Sequence, residues 1–136
     1  MQDPLVRFPG YALRRAANAA AAGLAALLRD IGLKQVDASL LMLIGDNPNV
    51  TASALGRLLD IQRANMVPLL KRLEDAAYIE RKPIDGKSQG LALTAKGAEK
   101  RGEAQAIIDD FEAKLIERVP AEHRDHLLPA LNALWR

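Results

Sequence analysis

Two apolar stripes of helical period stand almost back to back in the middle of the chain. Leu55, Leu58 and Leu59 make the first; Met66, Leu69, Leu70 and Leu73, at i, i+3, i+4 and i+7, make the second. Only Asp60-Ile61-Gln62 separates them. Three residues allow nothing but a tight turn, so two amphipathic helices must pack against each other at a steep angle. Two stretches of strand character follow, Tyr78–Ile84 and Leu91–Leu93. Between them Asp85–Gly90 reads as a hairpin loop, with two glycines to supply unusual backbone angles.

The rest of the chain is helical by its periodicity. Pro4, Pro9 and Gly10 make the first ten residues irregular, and a helix runs from Tyr11 to Arg29, ended by Gly32. Asp37 is placed to cap a second helix carrying Leu40, Leu41, Leu43 and Ile44, which Pro48 stops. Val50-Thr51 is long enough only for a single bridge of strand, and Thr51 then caps the third helix. The fourth spans Arg63–Ala76. Thr94 caps a long fifth helix to about Arg118, striped by Ala104, Ile107, Ile108, Phe111 and Leu115. Pro120 opens the last helix, with Leu127, Leu128, Leu131, Leu134 and Trp135 on one side, and Pro129 is expected to kink it. The fold class is therefore mostly α with a small β-hairpin wing. With no repeat or low-complexity linker, residues 1–136 form a single domain: a winged helix-turn-helix lobe over 37–94, flanked by helices in 11–36 and 95–136.

Composition removes several function classes. There is no cysteine, so disulfides, thiolate zinc sites and cysteine nucleophiles are excluded, as expected of a cytoplasmic protein. Ala16–Leu28 resembles the apolar core of a signal peptide, but it is short for a membrane span and broken by Asn18 and Gly23; it reads as an Ala-rich helix of a protein without membrane attachment. His123-Arg124-Asp125 has the letters of a kinase catalytic loop, yet position 130 is Ala where a metal-binding Asn is needed and no Gly-rich loop precedes it. His123 and His126 lack a third metal ligand. A polar first turn of the last helix accounts for them, and the reading calls for no enzyme activity, metal or cofactor.

The net charge of +2 hides an asymmetry. Residues 1–102 carry 15 Lys/Arg against 10 Asp/Glu, whereas residues 103–136 carry 4 against 7. A basic excess confined to one part points to an anionic partner there. Burying Met66, Leu69, Leu70 and Leu73 turns Arg63, Asn65, Val67, Pro68, Lys71 and Arg72 outward. These suit the major groove of duplex DNA: Arg bonds guanine bidentately, Asn bonds adenine, and Val meets a thymine methyl. Thr51 and Gln62 lie at the starts of the two helices, where free amides favour phosphate. Lys87, Ser88 and Gln89 at the hairpin tip reach an adjacent backbone or minor groove. The alternative from another class is a winged-helix module that binds protein and not DNA.

These segments resemble the multiple-antibiotic-resistance regulator (MarR) family. The residues that carry the likeness are Leu55–Leu59, Gln62–Glu74 with its Leu-Leu-Lys-Arg-Leu-Glu core, Tyr78-Ile79-Glu80-Arg81, Asp85-Gly86-Lys87 and Leu91–Gly97, and the resemblance extends over residues 11–136. It implies a homodimer built from the first and last two helices and bound to a pseudo-palindromic operator, most often as a repressor. It also implies a small aromatic or phenolic effector between the dimer and DNA-binding lobes. Tyr11, Arg14, Arg15 and Met42 are the expected pocket residues, with two arginines near an aromatic ring suited to an aromatic carboxylate or an acyl thioester. Four positions depart from the family pattern: Gln62 replaces a Ser/Thr cap, Pro68 sits inside the reading helix, Ala77 replaces a glycine, and Lys87 replaces an arginine.

Overall fold

The computed structural model describes all 136 residues. Six α-helices and one hairpin follow in order: α1 (Pro9–Arg29), α2 (Gln35–Asp46), α3 (Ala52–Leu59), α4 (Arg63–Asp75), β1 (Ile79–Asp85), β2 (Ser88–Leu93), α5 (Ala95–Glu117) and α6 (Arg124–Asn132). Short 3-10 turns cover Pro4–Arg7 and Ala121–His123, so the first ten residues are less irregular than their prolines imply. No helix is long and apolar enough to cross a membrane.

The threonine caps form as their positions require. Thr51 Oγ1 accepts the Ala54 N–H at 3.2 Å, and Thr94 Oγ1 accepts the Gly97 N–H at 2.9 Å. Asp37 does not take the cap position of α2. That place belongs to Lys34, whose N–H donates back to Asp37 Oδ2 at 2.8 Å from the third residue of the helix. The hairpin is also tighter than its six-residue glycine-containing loop suggests. Register pairing runs from Ile79 with Leu93 to Asp85 with Ser88, leaving a two-residue turn at Gly86-Lys87, with Gly86 at φ +41° and an irregularity at Ile84. Val50 adds the expected single bridge to Leu91. Pro120 caps the short turn before α6 and is not part of the helix, which starts at Arg124 and stays continuous through Pro129.

Thirteen buried apolar residues form one core, and all but Leu28 and Ala104 lie between Leu33 and Leu91. Leu55, Met66, Leu70 and Leu73 close α3 and α4 onto Leu40, Leu41 and Ile44 of α2. Leu58 is an exception to the expected stripe: it is 66% exposed, because α3 is short and buries only Leu55 completely. The α5 helix joins this lobe at its first turn. A Cβ at Gly97 would lie 1.8 Å from the Tyr78 carbonyl oxygen, so only glycine permits that approach. Lys100 Nζ reaches the Ile31 carbonyl at 3.1 Å, and its hydrogen bond to Glu103 raises its pKa, so it stays charged.

Outside this lobe burial is sparse. The α1 helix buries only Leu28, and α6 buries nothing. The chain presents 9683 Å² to solvent, against roughly 7,000 Å² for a compact monomer of its mass.

Candidate DNA-reading surface

The turn between α3 and α4 is set by backbone geometry. Asp60 adopts the left-handed conformation at φ +54°, the Ile61 N–H donates to the Gly56 carbonyl at 2.8 Å, and a Cβ at Gly56 would stand 2.8 Å from the Ile61 oxygen. The start of α4 then points outward. Gln62 makes no side-chain cap, while the Asn65 and Met66 amides turn back to its carbonyl. The Arg63 and Ala64 amides are left without protein partners, which makes this end receptive to anions.

An open groove of about 820 Å³ lies between α3, the start of α4 and the hairpin. Of the residues expected to face DNA, Thr51, Gln62, Arg63, Val67, Lys87, Ser88 and Gln89 all line it. Four further polar residues line it that the sequence reading did not place there: Ser53, Arg57, Arg81 and the acidic Asp60. Arg57 was within reach of periodicity, because it lies about 200° around the helix from the buried Leu55. Arg81 shares a strand face with buried Ile79, which brings it to Glu74 of α4 as an ion pair. Arg57, Arg63 and Lys87 have no acidic partner, so the groove keeps uncompensated positive charge.

The remaining expected contacts are elsewhere. Asn65 and Pro68 are exposed on α4 beyond the groove. Pro68 leaves α4 unbroken, because it faces solvent and the carbonyl it cannot bond belongs to exposed Ala64. Lys71 is exposed and paired with Asp75 at 3.2 Å along the same helix. Arg72 does not share the outward face. It turns inward to the buried carboxylate of Asp37.

The expected effector residues are split. The Tyr11 hydroxyl donates to Asp3 at 3.2 Å, and the Arg14 and Arg15 guanidinium carbons lie 5.8 and 5.9 Å from its ring centre. Met42 is half-buried on α2. None of the four lines either of the two main cavities of the chain.

Two crossed helices with a flanking hairpin around an open cationic groove define a winged helix-turn-helix protein. A model of the MarR family matches residues 31–88 of the chain. Among curated relatives, the HTH-type transcriptional repressor Rv2887 of Mycobacterium tuberculosis (strain ATCC 25618 / H37Rv) is 26% identical over 114 residues, covering 82% of each chain. Among solved structures, the transcriptional repressor CouR bound to a 23-mer DNA duplex is 28% identical. It superposes with a TM-score of 0.91 over 100% of this chain and 99% of its own. CouR bound to p-coumaroyl-CoA gives 28% identity and a TM-score of 0.88, covering 100% and 97%.

Proposed function

We propose that this protein is a ligand-responsive, DNA-binding transcriptional repressor that acts as a cytoplasmic homodimer on a pseudo-palindromic operator. The observation that carries the reading is the groove between α3, α4 and the hairpin, where Arg57, Arg63 and Lys87 are free of acidic partners. Arg63 and Val67 meet base edges, with Asn65 and Pro68 beside them on the outward side of α4. Thr51, Gln62, Lys87, Ser88 and Gln89 hold the backbone, and Lys71 adds charge. The likeness to CouR in its duplex-bound form over the whole chain supports this docking.

The homodimer follows from area. About 2,700 Å² of surface in excess of a compact monomer, with Leu128, Leu134 and Trp135 at 65–71% exposure, is the magnitude an obligate interface covers. Two chains also place two reading helices at matched half-sites.

The effector is an aromatic carboxylate or a related acyl thioester, in keeping with p-coumaroyl-CoA in CouR. In this chain Tyr11, Arg14, Arg15 and Met42 are its proposed contacts, completed by the second protomer. The protein is thus a regulator and not a catalyst.

Titrating the protein into labelled duplex from its own upstream region, at several salt concentrations, tests the reading. Affinity should fall steeply as salt rises, because bound counterions are released. Absence of binding at low salt overturns it in favour of a protein-interaction module. A thermal-shift screen of aromatic acids and acyl thioesters tests the effector.

A further inference from the structure

Asp37 is the one charged side chain among the buried residues, at 3% exposure. Both of its oxygens are used. Oδ2 accepts the Lys34 N–H at 2.8 Å; Oδ1 accepts Arg72 Nε–H at 3.2 Å and a second N–H from Nη2. The pair joins the first turn of α2 to the last turn of α4 across 35 residues of sequence. Between side chains, no other hydrogen bond ties α4 to another helix: Lys71 bonds within α4, Glu74 accepts from the strand residue Arg81, and Lys96 of α5 reaches only a backbone carbonyl, that of Ala76 just past the end of α4, at 2.9 Å.

What else holds α4 against the other helices is mainly apolar. Met66, Leu70 and Leu73 bury area without specifying direction, so they resist removal of the helix more than its rotation. A planar guanidinium held by two N–H groups on a buried carboxylate does specify direction, and Lys could not reproduce the fork. Arg72 is nine residues beyond Arg63, two and a half helical turns, and so on the opposite side of α4. Fixing one fixes where the other points.

We propose that Arg72 is a positioning residue and not a DNA contact: through Asp37 it sets the rotation of α4 about its axis, and with it the register of Arg63 and Val67 on the bases. This rests on the DNA-binding reading above. Asp37 also holds the Lys34 amide next to the α1–α2 connection, so the same carboxylate fixes the reading helix to the frame that leads into α1.

The test uses the full chain and the duplex that the wild type enriches from a random pool, with a scrambled duplex as reference. Affinities are measured below the unfolding transition, at several salt concentrations, for wild type, Arg72→Gln, Asp37→Asn and the double variant. Each single change should weaken the selected duplex about tenfold, and the double variant should lose no more than either single one, as coupled residues do. Binding to the scrambled duplex and the salt slope should stay at wild-type values. A merely structural role would lower the melting temperature without changing the preference between duplexes.

A direct phosphate contact would weaken both duplexes alike and lower the salt slope by about one in Arg72→Gln. Asp37→Asn, which releases Arg72, would then strengthen binding. Either result overturns the proposal alone, whereas a wild type that prefers no duplex overturns the DNA-reading function and this inference with it. Should Asp37→Asn fail to fold, Arg72→Gln decides by the same slope and preference, since that side chain is 40% exposed.

Discussion

Leu40, Leu55, Leu70 and Leu91 in the central lobe are at most 1% exposed, while Leu128, Leu134 and Trp135 at the C-terminal end are 65–71% exposed. Both groups look equally hydrophobic in the sequence. The lobe residues come from four elements joined by short turns, so the chain can fold their side chains onto one another. The terminal residues lie on α6, which has nothing of its own chain to cover it. Helical periodicity shows which face of a helix must be buried; it does not show which molecule buries it.

The sharpest way to break this contrast is to damage the lobe. Leu70→Ala removes a fully buried side chain where α4 meets the core, and it should cost about 3 kcal/mol in a denaturant titration. That loss should not depend on protein concentration, because the lobe closes on itself. Leu128→Asp should do the reverse. It leaves the lobe intact but weakens self-association by about 2 kcal/mol, seen as a fall in sedimentation mass from dimer toward the 14.8 kDa chain. An unchanged mass would show that α6 faces solvent.

Smaller effects sharpen the division within the lobe. Arg63→Ala should cost 1–3 kcal/mol of operator affinity and relax specificity at one base pair, and Lys87→Ala should weaken all duplexes alike and lower the salt slope by about one. Salt-titrated anisotropy separates the two. The smallest change is a gain. Ala77 follows α4 in the left-handed conformation at φ +61°, so Ala77→Gly should raise stability by about 0.5–1 kcal/mol, read as a higher melting temperature.

What could be read from the sequence was local. Thr51 and Thr94 cap helices because a hydroxyl three residues ahead of a free amide is a short-range arrangement. The turn at Asp60–Gln62 and the apolar face of α4 are local too. What escaped depends on partners distant in the chain. Arg72 has the spacing of an outward residue until Asp37 claims it from 35 positions away. Ser88 and Gln89 look like loop, yet they pair as strand because Pro83 and Asp85 lie opposite them. Arg81 joins the groove through the strand register and Glu74, neither of which shows in a linear reading.

Trp135 is the only tryptophan of the chain, and its indole N–H is satisfied locally by Asn132 at 3.2 Å. A ring so exposed in the isolated chain makes the protein its own optical reporter. If a second protomer covers this end, intrinsic emission should move to shorter wavelength on association and return on dilution, with no dye attached and no duplex present. The same signal would tell whether an effector acts by loosening the pair or only by turning the reading helices within it.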